Sequence, residues 1–396
     1  MVAMSPILSE IGIRGYRVKA WEDKPSVRVV VEPLTRRPRA CPRCGDHHLH
    51  SKGRYRRRVR HLESFGAFSE LIVECRRFRC LGCHRSFVQP LPGILPGRHT
   101  SEPFRHRVWR EHQDGICGSR LAKLTELGSA TIERIYHQFT ARKAAERISL
   151  LCPQILGIDE HTLHKGCRFA TTFCDLRNHR VFDVVQGKSC ASLEAFLLRL
   201  QGRDKVRLVC IDMSSTYRAL IRRHFPNARI VADRFHVVRL VMHHFMELFR
   251  SIGPELKYSR SYLAAIRKRP DRLTERQHEV LADLFRRHPS FRPIYQQMRK
   301  LIDLLCRKNR TYQQCRRLAR QLLSITRSLA ESGFAALATL AGTLESWHEE
   351  IACMWRFPRN NGITEGFHRK MKLIQRRAYG FRNFENYRLR VIAQCG

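Results

Sequence analysis

VRLVCIDMSSTYRALIRRHFPNARIVAD, residues 206–233, contains two short apolar runs separated by an amphipathic segment. The first run ends in Asp212, and the second, Arg229–Ala232, is followed by Asp233. Short apolar runs of this kind are typical of strands that are buried on both faces of a sheet. The segment therefore predicts a strand–helix–strand unit with an acidic residue at the end of each strand.

Three more strands are predicted upstream of this unit. Ile155–Ile158 runs directly into Asp159, Arg168–Cys174 and Val181–Val185 follow it, and Ser189–Leu200 is helical. Three strands, a helix, a strand, a helix and a strand are the element order of an RNase H-like fold. We therefore predict an α/β protein with an RNase H-like catalytic core.

The first and fourth of these strands end in acids that a parallel pairing would set side by side, namely Asp159 and Asp212. Glu160 should point away from Asp159, because side chains alternate along a strand. Two clustered carboxylates repel each other, and a divalent cation removes the repulsion. Oxygen ligands favour Mg²⁺ (or Mn²⁺), and two such ions about 4 Å apart serve phosphodiester chemistry.

Glu365, in ITEGFHRKMK, supplies the third acid that such a site needs. At about 100° per residue, one side of the predicted helix carries Glu365 and three cations, and the other side is apolar. The cations are Arg369, Lys372 and Arg376, and the apolar residues are Phe367, Met371, Ile374 and Ala378. On an ordinary solvated face, positive and negative residues would be mixed. One acid followed by three cations is better explained if the acid binds a metal ion and the cations contact a phosphate backbone.

His236 lies in Asp233-Arg-Phe-His236, at the start of the next helical run. It is a candidate catalytic residue that orients a scissile phosphate or donates a hydrogen bond to Asp233. The alternative is that Asp233 only caps the helix, which is a common role for Asp.

Two Cys-x-x-Cys pairs, Cys41/Cys44 and Cys80/Cys83, are separated by 35 residues. Two such knuckles complete a tetrahedral Zn²⁺ site with no open position, so a zinc here is structural. The long spacer predicts a zinc ribbon with a β-hairpin insert. The alternatives are two unrelated reduced pairs, or substitute ligands from the following set: Cys75, His47, His48 and His84.

Two features predict contacts with DNA. Lys52–Arg60 holds six basic residues in nine, and Arg54, Arg56, Arg57 and Arg58 are its candidate phosphate ligands. Arg120–Leu127 and Ala130–Thr140, joined at Gly128, have the apolar spacing of a helix-turn-helix, with Leu121, Leu124, Leu127, Ile132, Ile135 and Phe139 facing inward. Arg134 and His137 face outward in this interpretation. A solvated strand and a plain helical hairpin are the alternatives.

The composition restricts the partners. The chain has 396 residues and carries 74 Lys+Arg against 35 Asp+Glu, a formal charge of +39. Such a surplus favours nucleic acid as a partner. No apolar run approaches the ~18 residues of a spanning helix, and the N-terminus lacks a secretory pattern. The 15 cysteines are odd in number and scattered, which favours reduced thiols in a cytosolic protein.

Five segments follow from these patterns. We predict a zinc-ribbon domain over residues 1–97, a helix-turn-helix domain over 98–150, the first part of the catalytic core over 151–252, a helical insertion over 253–350 and the second part of the core over 351–396.

The chain resembles the ISL-three family of bacterial insertion-sequence transposases, which are DDE enzymes with an RNase H-like core. The resemblance rests on CPRCG…CLGC, GIDEHTLHKG, IDMSSTY, FPNARIVADRFHVV and NNGITEGFHRKMKLIQRRAYGF. It implies that Asp159, Asp212 and Glu365 are the catalytic acids. The 152 residues between the last two match the insertion of the family. His161 stands where the family often has an aromatic residue, and His164 is also less typical.

The resemblance implies a DNA transposase that uses Mg²⁺ and structural Zn²⁺. Its partners are double-stranded DNA, both terminal inverted repeats and target, and a second copy of the chain in a synaptic dimer or larger complex. Its expected location is the bacterial cytoplasm at the nucleoid, with no membrane contact. A structure-specific nuclease of the same fold and a non-catalytic DNA-binding regulator are the alternative functions.

Overall fold

The computed structural model describes residues 13–22, 27–64, 67–164, 168–253, 256, 258–357 and 362–396. The chain divides into two compact units, residues 1–142 and 143–396. The finer division into five segments stays a prediction. None of the helices in the described part is both long and apolar enough to cross a membrane.

The first unit is built on a five-stranded sheet in the order β1-β2-β4-β3, with β5 also paired to β4. Its strands are β1 (Tyr16–Glu22), β2 (Val27–Pro33), β3 (Leu49–Ser64), β4 (Ala67–Cys80) and β5 (Ser86–Val88). β3 and β4 form a long antiparallel hairpin between the two cysteine pairs, as the spacer predicts. Alternate residues of β2 are buried: Val27, Val29 and Val31 pack into the core of this sheet.

Three helices follow in the first unit: α1 (Glu102–Asp114), α2 (Gly118–Thr125) and α3 (Ser129–Ala145). Leu121, Ile132, Ile135 and Phe139 are buried in their shared core, as their spacing predicts. Leu124 was expected to face inward, but its side chain is 43% exposed. The turn also differs from the prediction, because Glu126, with φ +53°, is its left-handed residue and Gly128 is not.

The second unit contains a sheet in the order β10-β9-β6-β7-β8. Its strands are β6 (Ile155–His164), β7 (Arg168–Asp175), β8 (Arg180–Gln186), β9 (Leu208–Ile211) and β10 (Arg229–Ala232). β10, β9 and β6 run parallel to one another, and β7 and β8 continue the sheet antiparallel. The predicted strands and their order along the chain are therefore present.

Helices pack on both faces of this sheet. The helices of the second unit are α4 (Cys190–Arg199), α5 (Ser215–His224), α6 (Arg234–Ile252), α7 (Arg260–Arg267), α8 (Glu275–Arg287), α9 (Phe291–Cys306), α10 (Tyr312–Ala330), α11 (Ala335–Ser346), α12 (His348–Arg356), α13 (Gly362–Arg377) and α14 (Phe384–Cys395). Short 3₁₀ turns lie at Arg203–Lys205 and Pro270–Arg272. Thr274 forms a capping box with Gln277 at the start of α8.

The periodicity of the strands explains the two cores. Leu156, Ile158 and Ile211 belong to one core with residues of α4 to α12. On the opposite face of the sheet, Ala170 and Cys210 pack with α13 and α14. In the described residues between β10 and α13, the regular elements are all helices. After this segment, α13 packs on the second face of the sheet.

Candidate functional site

Three aspartates follow directly after paired positions of three adjacent parallel strands. Ile158 of β6 and Ala232 of β10 are both register partners of Ile211, the last residue of β9. The next residue in each case is an aspartate: Asp159, Asp212 and Asp233. Because the strands are parallel and in register, the three side chains meet at one edge of the sheet. The pairing of Asp159 with Asp212 was predicted, whereas Asp233 was left open.

Glu365 lies in the first turn of α13 and is half-buried. Met371 and Ile374 of this helix are buried, while Arg369, Lys372 and Arg376 are exposed, as the helical wheel predicts. The charge of Glu365 raises the pKa of His236, against the opposing effects of burial and Arg239. The net pKa of His236 is lowered, with desolvation as the largest cause.

The pKa values of the aspartates show how strongly their charges are crowded. Burial, followed by the charge of Asp212, raises the pKa of Asp159 to about 7. Burial, followed by the charges of Glu160 and Asp233, raises the pKa of Asp212 to about 6. Carboxylates that are desolvated beside like charges are stable as anions only with a compensating cation. The charge of Glu160 is the foremost of the charges that raise the pKa of Asp212, and the last of those that raise the pKa of Asp159. The sequence predicted that Glu160 points away from Asp159.

Asp233 has the capping role, and His236 lies beside it at more than hydrogen-bond distance. Its side chain accepts a hydrogen bond of 3.3 Å from the backbone N–H of Phe235, so it caps α6. His236 Nε2 lies 3.7 Å from Asp233 Oδ2, which is close enough for electrostatic contact but longer than a hydrogen bond. His236 thus lies next to one of the three aspartates.

A series of contacts between polar side chains extends from Asp159 into the interior of the protein. His368 Nδ1 lies 3.8 Å from Asp159 Oδ2, and His368 Nε2 is 3.2 Å from Thr172 Oγ1. Thr172 Oγ1 is also 3.0 Å from His161 Nδ1, and His161 Nε2 is 2.8 Å from the Tyr387 hydroxyl. Burial lowers the pKa of His161 to about 3 and that of His368 to about 4, so both rings are neutral at pH 7.

Sequence reasoning missed Thr172, His368 and Tyr387 because they are distant from Asp159 along the chain. Thr172 is the register partner of Asp159 across β6 and β7. Only His368 was accessible to pattern analysis, since it lies three residues after Glu365, one helical turn away.

The acidic site fits a divalent cation held by oxygen ligands. Asp212 Oδ1 is buried and has no hydrogen-bond partner among the described residues, so a lone pair there is available to a metal. Among the described residues, the zinc-ribbon cysteines are the one group with three or more ligand atoms within 4.8 Å of one another. The ligand atoms of Asp159, Asp212 and Glu365 therefore do not all lie within that distance of one another.

The cysteines meet at a second site in the first unit. The Sγ atoms of Cys41 and Cys83 are 3.8 Å apart, and those of Cys44 and Cys80 are 3.5 Å apart. A zinc tetrahedron with bonds of about 2.3 Å has edges of about 3.8 Å. Gly45, at φ +79°, provides the left-handed turn that follows the first knuckle.

The possible substitute ligands are engaged elsewhere. Cys75 is buried in the core of the sheet, 3.6 Å from the carbonyl oxygen of Tyr55. His47 contacts the Arg39 carbonyl oxygen, and His48 contacts Asp46. The cluster that could hold a metal ion therefore consists of the four predicted cysteines, and His84 is not part of it.

The predicted DNA ligands of the first unit differ in their surroundings. Arg54 and Arg58 are exposed, Arg56 pairs with Glu74 at 2.9 Å, and Arg57 donates to the Arg98 carbonyl oxygen. A cleft of about 420 Å³ brings Arg58 of β3 together with Arg134 of α3, and Arg60, Arg98 and Arg105 line it as well. The ribbon and the helix pair thus contribute cations to one concave surface.

Comparison with known proteins gives matches over both sites. The profile of the transposase domain of the ISL-three family matches residues 156–391. The profile described as zinc-finger of transposase IS204/IS1001/IS1096/IS1165 matches residues 37–83. The chain is 28% identical over 402 residues to the transposase for insertion sequence element IS1001 of Bordetella parapertussis, covering 96% of each protein. These ranges include the acids on β6, β9 and α13 and all four cysteines.

Proposed function

Because the chain belongs to the ISL-three family of insertion-sequence transposases, we propose that it cuts DNA at the terminal inverted repeats of an insertion sequence and joins the ends to a target. The observation that carries this proposal is the register that sets Asp159 beside Asp212, under the helix that carries Glu365. The order β10-β9-β6-β7-β8 supports an RNase H-like core, and the helical segment before α13 supports an insertion into it.

Asp159, Asp212 and Glu365 would hold Mg²⁺ (or Mn²⁺). The ions would supply activation of the attacking oxygen and stabilisation of the leaving oxygen. Water attacks a phosphodiester at the end of the element and releases a 3′-hydroxyl. That hydroxyl then attacks a phosphodiester of the target DNA in a transesterification. In this proposal His236 would orient the scissile phosphate, and His368, which also contacts Thr172, would help to position the Asp159 carboxylate.

The remaining cations would bind the DNA backbone. Arg369, Lys372 and Arg376 form no ion pair among the described residues, so their charges are available to phosphates. Arg54, Arg56, Arg57, Arg58 and Arg134 would hold the terminal repeats with the zinc ribbon and a helix-turn-helix formed by α2 and α3. Two ends must be held together, so a dimer or larger synaptic complex is expected.

The experiment uses the purified full-length protein, Mg²⁺ and a duplex made from the inverted repeats that flank its gene. Wild type should produce both cleavage and joined products. Asp159→Asn, Asp212→Asn and Glu365→Gln should abolish both while DNA affinity is retained. Glu349→Gln is the matched control, since Glu349 is an exposed acid in the first turn of α12.

Three outcomes would contradict the proposal. Cleavage without joining would indicate a structure-specific nuclease. DNA binding with no cleavage by wild type would indicate a non-catalytic regulator. Equal cleavage by wild type and the three acid variants would show that the reaction occurs elsewhere.

A further inference from the structure

A second concave site lies in the catalytic unit, at the end of α13 opposite to Glu365. It is a pocket of about 440 Å³ between the C-terminal end of α13, the loop to α14 and the ends of β6 and β7. Apart from Arg376, assigned above to the DNA backbone, and Tyr387, which contacts His161, the residues that line it have no role so far. Its walls combine cations, aromatic rings and two side-chain amides.

The charge of this pocket is positive and uncompensated. Arg168, Arg376 and Arg382 line it, and none of the three forms an ion pair with an acid among the residues that the structure describes. Three unpaired guanidinium groups around one cavity favour an anionic ligand, and guanidinium is suited to phosphate. The pocket therefore matches a phosphate-bearing molecule better than an apolar one.

The aromatic side chain of Tyr379 indicates what is attached to the phosphate of the ligand. The side chain of Tyr379 is 91% exposed although the residue lines the pocket. Its backbone has φ +52°, a left-handed conformation that is uncommon for Tyr, and it is followed by Gly380 at φ +95°. This turn holds a large ring away from the protein core. A flat ring beside guanidinium groups is the arrangement that stacks a nucleobase while its phosphates are bound.

Two amides complete the resemblance to a base-binding site. Gln186 and Gln375 line the same pocket, and an amide can both donate and accept hydrogen bonds at the edge of a base. A cavity of about 440 Å³ has the size of a small-molecule site and does not enclose a duplex. A base can reach the face of Tyr379 only if it is unpaired and unstacked.

The distance to the acidic site can be measured along two elements. Glu365 and Arg376 are 11 residues apart on α13, about 16 Å. Asp159 and His164, which also lines the pocket, are five residues apart on β6, again about 16 Å. Since DNA rises about 3.4 Å per nucleotide, the two sites are about five nucleotides apart. Arg369 and Lys372 lie on α13 between them.

We propose that this pocket binds one unpaired, extrahelical nucleotide of the DNA substrate, about five nucleotides from the phosphodiester that is cut. The base stacks on Tyr379, and Arg376 and Arg382 bind the adjacent phosphates. The inference rests on the proposed function for its position relative to the cut. The pocket itself would bind single-stranded DNA even if the protein cleaves nothing.

The first test measures binding of labelled dT₈ and of an abasic octamer with the same phosphates, by fluorescence anisotropy with the full chain. Tyr379→Ala should weaken dT₈ binding about tenfold, because one stacked base is lost, and should leave abasic binding unchanged. Tyr379→Phe should retain dT₈ affinity. Tyr258→Ala is the matched control, since Tyr258 is 82% exposed but lies far along the chain from the pocket, and it should change neither affinity.

The second test locates the base. An octamer with one 5-iodouracil is cross-linked by light, and the complex is digested with trypsin. The expected adduct is on Ala378–Arg382, the tryptic peptide with Tyr379 and Phe381. Equal dT₈ affinity of Tyr379→Ala and wild type, or adducts confined to other peptides, would overturn the proposal.

Asp159→Asn separates this inference from the proposed function. The variant should lack cleavage and keep the full preference for dT₈ over the abasic octamer. If wild type shows that preference but does not cleave, the proposed function fails and the pocket stands. If wild type cleaves and joins DNA while Tyr379→Ala binds dT₈ like wild type, the pocket assignment fails alone.

Discussion

His368 Nδ1 lies 3.8 Å from Asp159 Oδ2, and its Nε2 lies 3.2 Å from Thr172 Oγ1. Thr172 thus connects the ring beside the first carboxylate to the buried His161–Tyr387 pair. Groups that hold a metal-binding side chain in place typically change activity or metal affinity by about 10- to 100-fold when they are removed.

Thr172→Val should therefore lower the rate of Mg²⁺-dependent cleavage about 10- to 100-fold with little change in DNA affinity. The measurement is single-turnover cleavage over a range of Mg²⁺ concentrations. Thr171→Val is the matched control, because the Thr171 hydroxyl contacts Gly187 and Tyr217 and is not part of this series of contacts. Equal losses in the two variants would show that only general packing is involved.

The raised pKa values of Asp159 and Asp212, about 7 and about 6 against an ordinary 3.8, make stability depend on pH. The folded protein binds these protons more tightly than the unfolded chain. Their stabilising contribution is complete below pH 3.8 and is lost as the pH rises through 6 to 7. A difference of one in pKa between the folded and unfolded states corresponds to about 1.4 kcal/mol of the free energy of unfolding.

In Mg²⁺-free buffer, Asp159→Asn should therefore be more stable than wild type by a few kcal/mol at pH 8, and the advantage should shrink toward pH 4. Urea unfolding at several pH values measures this. Mg²⁺ should stabilise wild type at pH 8 more than the variant. Asp271→Asn, at an exposed acid, should show no such trend. A variant less stable than wild type at pH 8 would contradict the assignment of a strained carboxylate pair.

The cysteine cluster predicts one zinc per chain. Cys80→Ala should lose the metal and destabilise the first unit, because one of four thiolates that meet at 3.5 to 3.8 Å is removed. Elemental analysis and thermal unfolding measure the two effects. Cys190→Ser, at an exposed thiol, should retain the zinc. Full zinc content in Cys80→Ala would exclude this site.

Neighbouring cations on β3 should contribute unequally to DNA binding. Arg58 forms no ion pair within the described residues, whereas Arg56 is paired with Glu74 at 2.9 Å. Arg58→Ala should reduce the slope of log affinity against log salt by about one, and Arg56→Ala should reduce it less. DNA titrations from low to physiological salt measure the slopes. A larger effect of Arg56→Ala would show that its ion pair breaks in the complex.

Arg388 anchors α14 to the sheet through a bidentate pair with Asp183, with N–O distances of 2.6 and 2.7 Å. Arg388→Ala leaves a buried carboxylate without its partner and should cost about 3 kcal/mol of the free energy of unfolding. Arg286→Ala, which removes a surface pair at 3.6 Å, should change stability by less than about 0.5 kcal/mol. Similar losses in both variants would contradict the anchoring role.

Local sequence patterns were sufficient for the strands of the second unit, the two sides of α13 and the cysteine knuckles. Each depends on residues within a few positions of one another: apolar runs that end in Asp159 and Asp212, a helical period around Glu365, and a two-residue gap between thiols. The turn before α3 was less accessible, because Glu126 adopts a left-handed conformation that is common only for Gly.

The contacts that link Asp159, His368, Thr172, His161 and Tyr387 could be found only in the folded structure. The same is true of the position of Asp233 beside the other two aspartates. These contacts depend on strand register and on which helix covers which face, and both are set by the whole core. The pocket around Tyr379 is of the same kind, since a turn, two strand ends and a helix end form it together. Amino-acid order alone established the chemical groups and their local elements, while packing over long sequence distances established which of them meet.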